Sequence, residues 1–424
     1  MLTHFSPEQL QDPKIAEADE ILRACVHCGF CTATCPTFHI RGDELDSPRG
    51  RIMLIKEMHE KGGEPGAAVV KHLDRCLTCL SCMTTCPSGV DYMHLVEGAR
   101  EKIEASPTAR TPLQRALRRG LAVMLTSRSL FRWSMRLAAL GKPFAPLLPK
   151  RLKGLVSKAP ALSSGSVRPG LFPAQGTKKA RVALLTGCAQ SVVGNEINRS
   201  AIRLLTRHGA DVIVTDSPCC GALPQHMGDG ERARALASAT IEGWWKETSE
   251  GGGMGLDAII ITTSGCGTSI KDYGHLFPDD PKAKRVAGLA LDISEWMEKT
   301  GLQAPVTALE GRVAYHAACS LQHGQKQRTA PQKLLRTAGF TALEVPDGHF
   351  CCGSAGTYNI LQPELAEGLK TRKQANIRTT RPDWVATGNL GCILQLAQGL
   401  DVPVVHTVQL LDWATGGPKP KGVA

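Results

Sequence analysis

The sequence predicts an α-helical, cysteine-rich N-terminal domain followed by two copies of an α/β domain, each built on a parallel sheet. Three observations support this fold class: eight cysteines in two short N-terminal runs, eight more in two matching C-terminal sets, and alternating strand-like and helix-like segments around the latter. With 424 residues, the chain is long enough for several domains. We expect a helical domain at 1–104, a basic helical segment and linker at 105–179, and cysteine-rich domains at 180–305 and 306–424.

Composition narrows the function before any motif is considered. The 16 cysteines accompany a polar N-terminus without the apolar stretch of a secretory signal, so we expect a reducing cytoplasmic location and metal or redox chemistry rather than disulfides. No apolar run is long enough to predict a helix that crosses a bilayer. Aromatic residues make up 4%, too few for a surface that stacks nucleic-acid bases.

The first eight cysteines form two copies of one spacing. Residues 25–36 read CVHCGFCTATCP and residues 76–87 read CLTCLSCMTTCP, both of the form C-x2-C-x2-C-x3-C-P. This spacing is typical of bacterial ferredoxins, in which the fourth cysteine of each run binds the other cluster. Structural zinc usually joins two C-x2-C hooks across a longer spacer, so we favour two [4Fe–4S] clusters. The predicted ligands are Cys25, Cys28, Cys31 and Cys86 for cluster 1, and Cys76, Cys79, Cys82 and Cys35 for cluster 2.

The segment between the two runs predicts a helix. In DSPRGRIMLIKEMHEKGG, Ser47 is placed to cap the helix and Pro48 to occupy its first turn. Its apolar face would be formed by Ile52, Leu54, Ile55 and Met58. An insertion of this kind separates the two runs in the succinate dehydrogenase type of iron–sulfur domain, which is α-helical.

The positive charge of the chain is concentrated in one segment. The net charge is +11, yet 105–195 contains no Asp or Glu and sixteen Lys or Arg, so the remainder sums to 11 − 16 = −5. Residues 112–141 predict two helices that break near Thr126–Ser127, followed by a Pro-, Gly- and Ser-rich linker. Two interpretations stay open: an amphipathic element that contacts an anionic membrane or an acidic partner through 110–158, and a solvated spacer packed on its own protein. The basic segment shows neither a recognition helix nor an aromatic motif, so we do not expect nucleic-acid binding.

The remaining eight cysteines indicate a duplication. The first set is Cys188, Cys219, Cys220 and Cys266, and the second is Cys319, Cys351, Cys352 and Cys392. Each position follows a β-type run, such as RVALLTGC or WVATGNLGC, with helical stretches between. Parallel strands would gather these thiols at the carboxyl edge of each sheet, where such sheets bind ligands. We expect an additional iron–sulfur site or a redox-active dithiol in at least one copy, while buried structural cysteines remain the alternative.

Several strings together resemble a known family. At CVHCGFCTATCPT, GDELDSPRGRI, RCLTCLSCMTTCPSGVDY, SGCGTSIKDYG and HFCCGSAGTY, the chain resembles the iron–sulfur subunits of glycolate oxidase. That family combines a two-cluster ferredoxin domain with two cysteine-rich CCG domains. The resemblance covers nearly the whole chain and is weakest in the basic segment. The C subunit of anaerobic glycerol-3-phosphate dehydrogenase and the D subunit of heterodisulfide reductase have a similar architecture.

The resemblance implies an electron-transfer subunit of a glycolate oxidase complex. FAD would be bound only by partner subunits, which oxidise glycolate to glyoxylate, and this chain would pass electrons to the quinone pool or another acceptor. We expect no catalytic residue here, because no dinucleotide fingerprint or nucleophile motif is found in the sequence. Two alternatives stay open: a related complex that oxidises glycerol 3-phosphate or lactate, and thiol–disulfide catalysis of the heterodisulfide reductase kind.

One departure from the relatives limits what the CCG domains can bind. The CCG domains of heterodisulfide reductase that hold noncubane clusters end in C-x2-C, whereas Ser269 and Gln395 stand three residues after Cys266 and Cys392. Ligation by five thiols is therefore not available from either set alone. Two possibilities remain for each CCG domain: a cluster bound by four ligands, or an empty site.

Overall fold

The computed structural model describes residues 1–147, 156, 159–306 and 309–423. The chain forms two compact units. The first comprises residues 1–122, 223–233 and 349–373, and the second comprises 123–222, 234–348 and 374–424. Two short segments from the C-terminal half thus belong to the N-terminal unit, and one of them carries Cys351 and Cys352.

The first unit is built from helices, as the fold class predicted. They are α1 (Pro13–Ala24), α2 (Pro36–Arg41), α3 (Pro48–Lys61), α4 (Ala67–Asp74), α5 (Ser81–Thr85) and α6 (Tyr92–Ala105). The predicted start of α3 is confirmed: the Ser47 hydroxyl accepts the Gly50 N–H at 3.0 Å and Pro48 is the first helical residue. Leu22, Ile55 and Val96 are fully buried in the core between these helices.

The basic segment forms the two helices that its sequence predicts. They are α7 (Pro112–Thr126) and α8 (Arg128–Gly141), with Ser127 as the N-cap of α8, and a 3₁₀ stretch follows at Lys142–Leu147. Residues 148–155, 157 and 158, in the predicted linker and in the predicted contact segment 110–158, lie outside the described residues. Within the predicted linker, Gly170–Phe172 forms an edge strand that pairs antiparallel with Val212–Val214. Three residues among prolines and glycines carry too little pattern to predict a strand.

The second unit contains two sheets with the same strand order. The first sheet is β1-β3-β2-β4-β5, with β1 (Gly170–Phe172), β2 (Ala180–Leu185), β3 (Ala210–Val214), β4 (Ala258–Ile261) and β5 (Ala290–Asp292). The second is β7-β6-β8-β9, with β6 (Arg312–Tyr315), β7 (Thr341–Glu344), β8 (Trp384–Thr387) and β9 (Val404–His406). All pairs except β1–β3 are parallel. Apart from β1 the two sheets correspond strand for strand, which confirms the duplicated α/β architecture.

Helices connect the strands in both repeats. Their bounds are Gln190–Val193, Asn195–Arg207, Ala222–Met227, Gly230–Trp245, Ser264–Lys271, Tyr273–Leu276, Pro281–Leu289, Ile293–Thr300, Ala330–Thr337, Tyr358–Leu361, Pro363–Thr379, Leu390–Leu396 and Thr407–Ala414. Buried residues of both repeats, including Leu204, Leu335 and Leu411, form one continuous core. Among the described helices, none combines the length and the apolar character that crossing a bilayer requires.

Candidate metal centres

The two cysteine runs share an unusual backbone conformation. His27 and Thr78, 51 residues apart, occupy equivalent positions with φ of 60° and 50°, and Gly29 and Leu80 form a second such pair at 84° and 62°. Positive φ is unfavourable for leucine and more so for a β-branched threonine. Strain that recurs at the same position of two loops is typical of a functional site.

The first cysteine set lines a single open pocket. Cys25, Cys28, Cys31 and Cys86 line this pocket, and Cys82 also reaches it. Burial raises the pKa of the Cys31 thiol to about 11, and its neighbours Cys25 and Cys86 contribute. Four thiols around one space are the donor set that a [4Fe–4S] cluster requires, so the residues present fit that group.

The second cysteine set lies deeper in the protein interior than the first. Cys35, Cys76, Cys79 and Cys82 are all buried, whereas Cys28 of the first set is exposed. Burial raises the pKa of Cys82 well above its usual range, and the other thiols of the set raise it further, which places them close together. The donor set again suits a [4Fe–4S] cluster.

Three side chains that the sequence did not single out surround the second set. Arg51 Nη1 lies 3.9 Å from Cys35 Sγ, and Arg100 Nη2 donates to the Cys76 carbonyl at 2.6 Å. The Tyr92 hydroxyl donates to Cys76 Sγ at 3.6 Å. Although burial opposes it, the two guanidiniums hold the pKa of Cys76 below its usual range. Arg51 is one of several charged residues on the predicted helix, so no local signal marks it.

A buried carboxylate organises the cations beneath this set. Asp46 Oδ1 lies 2.8 Å from His72 Nδ1, and Asp46 Oδ2 accepts from Arg75 Nη1 at 2.8 Å. Arg51 Nη2 is 3.5 Å from Oδ1, and both side chains are almost inaccessible to solvent. Asp46 thus fixes Arg51 and Arg75 in place.

A cysteine of the second repeat also lies in the first unit, beside the second set. The pKa of the Cys79 thiol is raised well above its usual range, first by burial and then by the Cys351 thiol. The Tyr358 hydroxyl donates to the Arg75 carbonyl at 2.9 Å, which ties this segment to the residue before Cys76. The sequence placed Cys351 only with its own repeat, because a contact across more than 250 residues leaves no local pattern.

The thiols of the first repeat converge at the carboxyl edge of their sheet. Cys219 Sγ lies 3.5 Å from Cys188 Sγ. Although Cys219 opposes the shift, the Cys266 thiol and burial raise the pKa of the Cys220 thiol well above its usual range. These residues follow β2, β3 and β4 in the chain. The Thr240 hydroxyl donates to the Cys219 carbonyl at 2.9 Å, and Tyr273 donates to the Cys220 carbonyl at 2.8 Å, which positions the Cys-Cys pair.

In the second repeat, a histidine that the sequence did not single out accompanies one of the cysteines. Cys319 and Cys392 belong to the second unit and Cys351 and Cys352 to the first. His316 is 1% exposed, and neither of its ring nitrogens has a hydrogen-bond partner among the described residues. A ring nitrogen lies within 4.8 Å of Cys392 Sγ. Leaving buried polar atoms unpaired is costly, so this imidazole stands out from an ordinary core histidine.

The basic segment shows features of both interpretations left open above. Arg110 donates to both carboxylate oxygens of Asp74 at 2.8 Å, so the start of the segment packs on its own unit. On α8 and the 3₁₀ stretch after it, Phe131 and Ala145 are buried, whereas other apolar side chains face solvent, namely Leu130, Trp133, Leu137, Leu140, Phe144 and Leu147.

Comparison with known proteins agrees with these centres. A 4Fe-4S dicluster domain model matches residues 21–90, and a cysteine-rich domain model matches residues 182–271 and 313–397. The chain is 39% identical to the glycolate oxidase iron-sulfur subunit of Escherichia coli strain K12, over 98% of this chain and 99% of that protein. It is 30% identical to the probable glycolate oxidase iron-sulfur subunit of Bacillus subtilis strain 168, with the same coverage.

A solved structure shares the fold. The crystal structure of a hypothetical protein from Helicobacter pylori aligns with a TM-score of 0.53 and 11% identity, over 97% of this chain and 74% of that one. Together, the spacing and geometry of the cysteines and the full-length similarity show that this chain is an iron–sulfur protein that belongs to the glycolate oxidase iron–sulfur subunit family.

Proposed function

We propose that this chain is the electron-transfer subunit of a complex that oxidises glycolate to glyoxylate. The observation that carries the proposal is the gathering of eight thiols into two sets within one helical unit. The name of the E. coli relative supports the choice of glycolate. When bound, two [4Fe–4S] clusters would supply the one-electron steps through which a two-electron flavin donor can be reoxidised.

We place the docking surface for the FAD-bearing partner at the first set. Cys28 is exposed, and the neighbouring side chains Val26 and Phe30 are 67% and 62% exposed. Exposed apolar side chains beside a redox centre are typical of a protein–protein interface. A partner seated here would bring its flavin close to the first set and exclude water from it.

Iron content tests the ligand assignment. We expect the anaerobically purified and reconstituted chain to hold about eight iron and eight sulfide ions, and Cys76→Ser to hold about four. Cys188→Ser, which lies in the first repeat, is the matched control and should keep the wild-type content.

Other results would change the assignment. Wild-type protein with about four irons after full reconstitution would contradict the two-cluster proposal. If the wild-type chain holds more than eight iron ions and Cys188→Ser holds fewer, the first repeat binds a cluster as well.

A second candidate function rests on the first repeat. The contact between Cys188 and Cys219 at 3.5 Å brings two thiols near the distance at which a disulfide forms. Thiol–disulfide catalysis of the heterodisulfide reductase kind is therefore the alternative. It is less well supported, because Ser269 and Gln395 replace the final cysteines of that reductase.

For the acceptor, we propose the quinone pool, reached by peripheral contact with the inner face of the cytoplasmic membrane. Leu137, Leu140 and Phe144 present an apolar surface to solvent, and 105–195 is free of acidic residues. A basic amphipathic helix that carries a tryptophan binds the interface of an anionic bilayer through burial of its apolar face and through charge.

Vesicle binding tests this contact. We expect the chain to bind vesicles that contain phosphatidylglycerol, and Trp133→Ser combined with Leu137→Ser to bind at least tenfold more weakly, because burial of each side chain contributes more than 1 kcal/mol. Met254→Ser, which removes an exposed apolar side chain elsewhere in the same unit, is the control. Equal cosedimentation of all three proteins would refute membrane contact through α8.

A further inference from the structure

Two arginines on α3 occupy opposite environments. Arg49 is 32% exposed and pairs with Glu44 at 2.7 Å at the surface, near the first cysteine set. Arg51, two residues on, is 1% exposed and faces the second set. Solvent screens the charge of Arg49, whereas the charge of Arg51 acts through a low-dielectric interior.

Arg51 is held rigidly against the second set. Its Nε donates to the His72 carbonyl at 2.7 Å and its Nη2 donates to Thr37 Oγ1 at 3.0 Å, which leaves Nη1 at 3.9 Å from Cys35 Sγ. The positive charge therefore stays next to a thiolate without a conformational change.

Arg100 and Tyr92 act from α6. Arg100 Nη2 donates to the carbonyls of Leu73 at 3.1 Å and Cys76 at 2.6 Å, and the Tyr92 hydroxyl donates to Cys76 Sγ at 3.6 Å. Positive charge near a cluster and hydrogen bonds to its sulfurs raise its reduction potential, since reduction adds a negative charge.

Acidic groups nearby offset these cations only in part. Asp46 interacts with both Arg51 and Arg75. Arg100 interacts with Asp74 and with Glu97, which also lies 2.9 Å from His226. Arg51 Nη1 lies 3.9 Å from Cys35 Sγ, whereas the group of Asp46 that Cys35 Sγ contacts, at 3.6 Å, is the neutral backbone carbonyl. Thr37 Oγ1 at 3.3 Å from Cys35 Sγ and the Thr78 N–H at 3.5 Å from Cys76 Sγ add neutral contacts to the same sulfurs.

Burial and charge therefore oppose each other at the second set. Burial alone would lower its potential below that of the first set, whose Cys28 is open to solvent. We propose that Arg51, Arg100 and Tyr92 reverse this order and give the second centre the higher reduction potential. Electrons that enter at the exposed first set would then move spontaneously towards the buried second set. This inference rests on the proposed function, because it assumes that both sets hold [4Fe–4S] clusters.

A redox titration followed by electron paramagnetic resonance tests the order. We expect two one-electron transitions in the wild-type chain. Arg51→Gln should lower the higher potential so that the ratio of reduced to oxidised cluster falls at least tenfold, which is about 59 mV for one electron. Tyr92→Phe, which removes only the hydroxyl, should lower the same transition about threefold in that ratio. Arg49→Gln is the matched control and should leave that transition unchanged.

Iron analysis of every variant separates the two hypotheses. If wild-type protein lacks a second cluster, the proposed function fails and the inferred order of potentials fails with it. If all proteins hold full iron, unchanged potentials in Tyr92→Phe and Arg51→Gln would overturn the inference, as would a shift confined to the lower potential. Should Arg51→Gln fail to assemble, Tyr92→Phe decides the question.

Discussion

Replacement of Asp46 by asparagine is expected to lower the free energy of unfolding of the first unit by about 3–5 kcal/mol, the usual cost of removing one partner from a buried ion pair. Asp46 is fully buried and contacts Arg51, Arg75 and His72. An asparagine side chain can keep one acceptor oxygen. Its NH₂ group would face either the Arg75 guanidinium, where a donor would meet a donor, or His72. In both cases the buried positive charge of the arginines would lose its counterion.

The measurement is chemical denaturation of the reconstituted chain, followed by the visible absorbance of its clusters. Glu44→Gln is the matched control, because its ion pair with Arg49 is largely exposed and such pairs contribute about 0–1 kcal/mol. Equal denaturation midpoints for the two variants would show that Asp46 is not the structural centre of this site.

The sequence was most informative where ligand geometry acts over a short stretch of chain. The spacing of Cys25, Cys28 and Cys31 follows from wrapping three thiols around one cluster, so it is readable locally. The same holds for the cap at Ser47 and for the strands of the two repeats, which repeated hydrophobic runs already indicate. The order of the strands in each sheet was not predicted.

Long-range contacts account for what the sequence did not predict. In the sequence, Arg51 looks like any charged residue on a helix. Its burial is stabilised by the ion pair with Asp46, which the fold brings close to it. Cys351 repeats the position of Cys219, yet Cys351 lies beside Cys79 in the helical unit while Cys219 lies beside Cys188 in the second unit. Duplication preserved the motif, and the surroundings of each copy diverged.

The sequence therefore predicted the cysteine ligands but not the side chains that surround them. A cysteine binds iron through its thiol, so its role as a ligand can be predicted from the identity of the residue. A reduction potential depends on charges and hydrogen bonds within a few ångströms of the sulfurs, and at the second set these come from Arg51, Tyr92 and Arg100.

In the second unit, Asp412→Asn is expected to have an effect of similar size, about 3–5 kcal/mol. Asp412 is fully buried in the last helix of the second repeat, and its Oδ2 accepts from Arg203 Nη2 at 2.6 Å while Oδ1 accepts from Arg207 Nη1 at 3.1 Å. Both arginines lie on the Asn195–Arg207 helix of the first repeat. One carboxylate therefore joins the two repeats, and its neutralisation leaves two guanidiniums poorly compensated.

Chemical denaturation of the second unit measures the loss of stability in Asp412→Asn. The two repeats share one core, so wild-type protein should lose both in a single transition, monitored by tryptophan fluorescence and by circular dichroism. Glu298→Gln is the control, because its pair with Lys333 also joins the repeats but is exposed at the surface, where the expected change is below 1 kcal/mol. If Asp412→Asn unfolds at the same denaturant concentration as Glu298→Gln, the repeats are held together by their shared apolar core and not by this carboxylate.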